Sequence, residues 1–316
     1  MTIDLNVSRQ ALMHAKMQDD ESSQLEHTTA AWMGIDLSLL GAQTCGSLTE
    51  IDVEPFHYGK MAAATRAAAG GGLDFVALSA EFVADSAHRQ LGMDTVSVGS
   101  QLCSIPGLGV VMEVEAHPRA LAQGCEAVGV VSHSWASLAI TIDGQTDFND
   151  DLCRAMHDVR SAGVGLIVNI RAQSLTAELT ASVAKFADMV RLRVPDPHVA
   201  RGLRYGIRAA AHEVGRNLPV VVDIGIVISA TAQAAHERAL LIEAITGVPL
   251  FPDVPKIIGT VHEVADSIER WVGLGAADGV VVLPASLPTD LGSLIRGVLP
   301  LLSGRAGVEV KPQSLI

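Results

Sequence analysis

Short apolar runs alternate along the chain with longer stretches whose apolar positions recur every three or four residues. The unbroken runs suit strands buried on both faces, and the wider spacing suits helices that bury one side. Read in order, the predicted strands cover residues 31–40, 73–78, 95–102, 135–142, 166–170, 188–194, 219–228 and 280–283. Predicted helices cover 56–69, 117 to about 130, 149–162, 174–186, 197–215, 230–245, 260–271 and 291–302, with a Pro-rich linker at 247–258. Several helix ends carry their own chemistry. Thr260 is a candidate N-cap with Glu263 three residues on, the spacing of a capping box. Gly70-Gly71-Gly72 is a strong helix stop, and Pro118 suits a first helical turn.

Eight strands alternating with helices fit either a (β/α)8 TIM barrel or a doubly wound open sheet. No GxGxxG follows the first strand, and eight units favour the barrel, so the expected fold class is an α/β (β/α)8 TIM barrel. Residues 1–30 then form a polar N-terminal arm, 31–303 the barrel and 304–316 a tail. At 316 residues with 49% apolar side chains, the core is large. A formal net charge of −13 argues against nucleic acid, whose binding rests on basic patches. No apolar stretch is long enough to span a membrane, and the N-terminus has no signal-like apolar segment, so a cytoplasmic protein is expected. Cys45, Cys103, Cys125 and Cys153 form no CxxC pair, so neither a disulfide framework nor a metal site is expected.

Walker, GxSxG and HExxH motifs are missing. In a barrel the chemistry sits at the C-terminal ends of the strands. The residues predicted there are 40–43, Ser79 to Glu81, Cys103 and Ser104, Asp143 to Gln145, Asn169, Arg171 to Ser174, Arg191, Arg193, Gly225 and 284–286. Arg171 followed by Ser174 at a helix start combines a cation, a hydroxyl and free backbone N–H groups, which suits a phosphate. The plain alternative is a solvated Arg and an ordinary N-cap, with Thr176 a second candidate cap.

Four stretches carry a resemblance to a family. These are Pro55 through Leu78, with its Ala-rich helix and Leu73-Asp74-Phe75-Val76-Ala77-Leu78; His117-Pro118-Arg119-Ala120-Leu121-Ala122; Gly259-Thr260 through Asp266; and Ala277-Asp278-Gly279 through Leu302. Together they resemble the luciferase-like flavin-dependent monooxygenases, in the branch acting on nitrilotriacetate and dibenzothiophene sulfone. The resemblance implies a barrel that binds reduced FMN, or the deazaflavin F420, at its strand ends. It also implies a small organic substrate, a flavin reductase as supplier and a homodimer. The cofactor-binding residues it suggests, with the strand-end positions, are Ser79, Ser104, Asp143, Asn169, Arg171 and Ser174; no catalytic residue is assigned.

The sequence departs from that branch where Leu78-Ser79-Ala80-Glu81 replaces an acidic strand end. It departs again where Ser132-His133-Ser134-Trp135 replaces a Gly-rich turn, and where Ile140-Thr141-Ile142-Asp143-Gly144 lacks the His/Tyr contacts. Three readings follow. The first is a flavin-dependent monooxygenase or oxidoreductase. The second is a non-catalytic luciferase-like barrel, without cofactor, serving as a binding or partner subunit. The third, a non-flavin barrel such as an aldolase or isomerase, needs a buried Lys or a metal cluster at the strand ends and is the weakest, because Lys60, Lys185 and Lys256 fall on predicted helices or linker.

Overall fold

The computed structural model describes residues 31–38, 58–79, 95–129, 135–143, 146, 149–247, 249–287 and 289–305. The N-terminal arm, residues 39–43, Ala80, Glu81, Gly144, Gln145 and the tail from residue 306 lie outside them. The strands are β1 (Trp32–Asp36), β2 (Phe75–Leu78), β3 (Gly109–Val114), β4 (Ala136–Ile142), β5 (Gly165–Arg171), β6 (Met189–Arg193), β7 (Val220–Ile228), β8 (Lys256–Gly259) and β9 (Gly279–Pro284). Between them lie α1 (Tyr58–Gly70), α2 (Thr95–Leu102), α3 (Pro118–Gly129), α4 (Asp150–Ser161), α5 (Ala177–Phe186), α6 (Pro197–Glu213), α7 (Ala232–Thr246) and α8 (Val261–Gly273). The last helical stretch is α9 (Thr289–Ser293), a π turn (Leu294–Val298) and α10 (Leu299–Arg305).

All strand pairings are parallel, and the circuit β1-β2-β3-β4-β5-β6-β7-β9 closes back on β1. This is the (β/α)8 barrel. β8 is a ninth strand outside that circuit. The short β6 pairs with β7 only at Val220 to Val222, and β8 runs beside the upper part of β7, from Gly225 to Ile228.

Strand alternation sorts the apolar side chains into two sets. Outward residues such as Ile35, Val76, Val110, Leu138 and Val222 pack under the helices. Inward residues Trp32, Phe75, Val111, Ala139, Ile167, Met189, Val221 and Val281 plug the lower half of the barrel. Two glycines make the plug possible. A Cβ at Gly34 would lie 2.4 Å from the Phe75 ring, and one at Gly109 would lie 2.0 Å from Trp135. Those rings meet tilted, with centroids 5.8 Å apart, an arrangement aromatic pairs favour.

The N-terminal rim repeats one device three times. Asp74, Asp188 and Asp278, each just before a strand, accept the backbone N–H of Met33, Leu166 and Val220 on the neighbouring strand at 2.8, 2.9 and 2.9 Å. Arg216 and Arg160 flank Asp188, while Arg204 and Arg208 bind Asp278. Each aspartate satisfies a donor that the ladder leaves over.

The structure corrects three expectations. Residues 95–102 form α2, not the third strand: Thr95, Val98, Gly99 and Leu102 are buried, which is helical spacing. The third strand is β3, whose residues lie outside every predicted element. A Cβ at Gly99 would meet the Met112 side chain at 2.3 Å, so α2 seats closely on β3. The predicted linker contains β8. Finally, the helix expected from residue 174 starts at Ala177, with Thr176 as the cap accepting from Leu179 N; Ala172–Ser174 is a 3-10 turn. The Thr260–Glu263 capping box is present as expected.

Candidate active site

Above the apolar plug, the inward positions of seven strands turn polar. Above the plug on these strands stand Asp36, Ser79, Glu113, Thr141, Asn169, Arg191 and Asp223, and two residues further on come Arg171, Arg193 and Gly225. The C-terminal mouth of the barrel therefore has a charged and hydroxyl-bearing floor.

Arg191 organises one side of it. Its Nη2 donates to Asp36 Oδ2 at 2.8 Å and its Nε to Asp223 Oδ1 at 2.5 Å, while Arg193 Nε donates to Asp223 Oδ2 at 3.0 Å. Asp223 is fully buried and Arg191 and Asp36 nearly so. Burial would push the Arg191 guanidinium down, but the Asp223 and Asp36 carboxylates outweigh it and hold the group well above its ordinary value. It stays a cation, as the planar fork of an arginine suits. Asp36 Oδ1 also accepts from Ser38 N at 2.9 Å and from the Ser38 hydroxyl. Ser38 Oγ accepts from Ser79 N at 2.8 Å and from Ser79 Oγ at 2.7 Å. Ser79 is thus wired to Arg191 through Ser38 and Asp36.

The opposite side carries a second chain of bonds. The Thr141 hydroxyl donates to Glu113 Oε1, and Asn169 Nδ2 donates to Thr141 Oγ1 at 3.4 Å. Asn169 Oδ1 is buried and has no partner among the described residues, a costly condition for an acceptor unless a ligand or water completes it.

A wall comes from the segment before β8. Phe251 and Asp253 are the non-glycine residues at positive φ among those described, at 50° and 64°. A Cβ at Gly225 would lie 2.2 Å from the Phe251 ring, so that glycine lets the half-buried ring sit inside the mouth above Asp223. Asp253 pairs with the half-exposed Arg171 at 3.8 Å, and Gly225 N donates to Pro255 O at 2.9 Å. The segment bridges β7 to β5 over the end of the short β6.

The six expected cofactor residues separate. Ser79 and Asn169 lie in the floor and Arg171 at the mouth's edge. Asp143 is exposed just past β4, in a turn in which Thr146 Oγ1 donates to its carboxylate at 2.9 Å. Ser174 ends the 3-10 turn after β5 and caps no helix. Ser104 does not reach the mouth. It follows α2 and precedes β3, at the N-terminal end of the barrel, with its hydroxyl on Gln101 O at 2.7 Å. Asp36, Glu113, Thr141, Asp223 and Phe251 were missed. The available signal was an acidic residue inside an apolar run, most visibly Asp223 in the nine-residue VVVDIGIVI, buried throughout. Among the described residues no group of three or more His, Cys, Asp or Glu could hold a metal ion, and no helix is long and apolar enough to cross a membrane.

No protein-family model and no curated protein matches the sequence. Solved structures do match in fold. An EDTA monooxygenase from Chelativorans sp. BNC1 aligns with a TM-score of 0.66 at 14% identity, over 87% of this chain and 94% of that one. A long-chain alkane monooxygenase aligns at 0.67 and 13%, over 90% and 93%. A coenzyme F420-dependent tetrahydromethanopterin reductase from Methanopyrus kandleri aligns at 0.60 and 12%, over 86% and 99%. The chain has the barrel of these enzymes, the fold that the resemblance in its motifs implied.

Proposed function

We propose that the chain is an oxidoreductase or monooxygenase dependent on reduced FMN, with F420 the alternative cofactor, acting on a small organic substrate. The observation that carries this reading is the polar mouth, where the Asn169 acceptor, unpartnered among the described residues, stands on the strand beside the arginines of β6. A pyrimidinedione ring, which alternates carbonyl acceptors with an N–H donor, suits such a donor set. Among comparable barrels, one solved structure is a riboflavin lyase with modified FMN, and another a type II Baeyer-Villiger monooxygenase in complex with FMN. When bound, the reduced ring supplies electrons for oxygen insertion or hydride transfer, chemistry that belongs to the cofactor.

The residues of the chain would bind and orient. Ser79, Asn169 and Arg193 would line the ring, with Arg171 at the mouth's edge beside the phosphate-bearing side. Asp143 and Ser174 stand on loops at the same end and could reach only the outer part of a cofactor. Phe251 would exclude water from the β5–β7 side. A flavin reductase and a homodimer accompany this reading, as does a cytoplasmic location.

The alternative, a barrel kept as a binding or partner subunit, draws on Ser104, a position the resemblance assigns to the cofactor that stands at the other end of the barrel. The deciding experiment is a fluorescence and calorimetric titration of the full chain with FMN, FMNH2 and F420. Micromolar or tighter binding of one supports the enzyme and names its cofactor. No binding of any turns the reading to the partner subunit.

A further inference from the structure

The Glu113–Thr141–Asn169 chain has a fixed direction. Thr141 donates to Glu113 Oε1, which commits its single hydroxyl hydrogen. Thr141 Oγ1 can then meet Asn169 only as an acceptor, which requires the amide nitrogen to face it, as it does at 3.4 Å. The amide carbonyl is left buried and, among the described residues, without a donor. An amide has no preference of its own between its two orientations. Here the neighbours choose.

We propose that Glu113 and Thr141 are positioning residues that lock Asn169 with its carbonyl toward the mouth, where it accepts a ring N–H of the bound ligand. The ligand class is a planar imide or pyrimidinedione whose N–H stands between two carbonyls. This deepens the flavin reading and rests on it. Isoalloxazine and deazaflavin share that ring edge, so the inference does not depend on which of the two binds. A floor that ended in an amide N–H would favour an acceptor edge, and an apolar residue would leave the edge unread. Removing a donor for which a site has been built leaves a buried acceptor unpaired, and sites of this kind discriminate strongly.

The test uses the full chain with FMN and its N3-methyl analogue, which lacks the donor. Wild type is expected to bind the methylated flavin at least roughly 10-fold more weakly, the scale of one unsatisfied buried group. In Thr141→Val, an isosteric change that frees the amide to turn, and in Asn169→Ala, the ratio should fall to about 2 or 3, the residue left to steric fit. Thr141→Ser keeps the hydroxyl and should keep the discrimination. Circular dichroism melts of each variant separate a lost fold from a lost bond. If all variants bind flavin with the same methylation ratio as wild type, the positioning role is wrong while the cofactor reading stands. If wild type binds neither FMN nor F420, both fall together.

Discussion

The residue that most constrains the mouth is Arg191, because its guanidinium joins β6 to Asp36 on β1 and Asp223 on β7. Removing one partner of a buried ion cluster leaves the others as uncompensated charges. Arg191→Met should therefore cost about 3–5 kcal/mol in a urea unfolding experiment, and Arg191→Lys should recover only part, since an ammonium cannot fork to two carboxylates. An Arg191→Met protein as stable as wild type would show that the cluster is better solvated than its burial implies. A surface carboxylate provides the pH-dependent counterpart. Backbone N–H bonds from Val199 and His198 hold Asp196, the cap of α6, below its ordinary value. A depressed folded-state pKa adds stability above the unfolded value and loses it as pH falls through the folded one. The stability difference between wild type and Asp196→Ala should thus be full at neutral pH and shrink below roughly pH 4, where free aspartate protonates. Residue-scale legibility followed the same physics. Arg191 and Arg193 are legible as strand-end residues because they fall in the last part of the strand predicted over 188–194, and Thr260 and Glu263 are legible from cap spacing. Their carboxylate partners were not legible, since Asp36 lies 155 residues from Arg191 in the chain and single-sequence spacing carries no such pairing.

At the scale of elements, strands with continuous apolar runs were legible and amphipathic ambiguity was not. Residues 95–102 alternate closely enough to read as a strand, yet the contact of Gly99 with Met112 and the burial of Val98 and Leu102 make them a helix. That misreading hid β3 and with it Glu113. β8 escaped for a different reason. Its four residues are only partly buried and follow two prolines, so they carry little strand signal. The segment leading into it is nonetheless held in a demanding geometry, with Phe251 and Asp253 at positive φ and the Phe251 ring in the space a side chain at 225 would take. Gly225→Ala should expel that ring, because the new Cβ would lie 2.2 Å from it. Overpacking of this kind costs about 1–3 kcal/mol. The displaced segment should be cut faster by a protease at residues 249–255 while the barrel strands stay protected in hydrogen exchange. Unchanged cleavage would mean that the ring can find another seat inside the mouth.

Across the whole molecule the two ends of the barrel divide the labour. The N-terminal rim is built from aspartates that close backbone donors and gather arginines, whereas the C-terminal mouth holds, in Asn169 Oδ1, a buried acceptor without a partner among the described residues. Barrels place stability at the first end and chemistry at the second. Asp278→Ala removes the acceptor for Val220 N and the anion shared by Arg204 and Arg208. It should lower unfolding free energy by about 2–3 kcal/mol while leaving flavin affinity unchanged, since Asp278 stands at the N-terminal rim, the end of the barrel away from the mouth. Asn169→Ala should do the reverse. It deletes an unpaired acceptor and a long bond to Thr141, so its stability should change by less than about 1 kcal/mol, while flavin binding weakens roughly 10-fold. Urea melts and FMN titrations on the two variants, run side by side, place each on a plane of stability against affinity. The two points should lie near different axes. If Asp278→Ala also loses affinity in proportion to its stability, the closed circuit of β1 to β9 transmits strain from rim to mouth, and the polar floor depends on the whole barrel rather than on its own bonds.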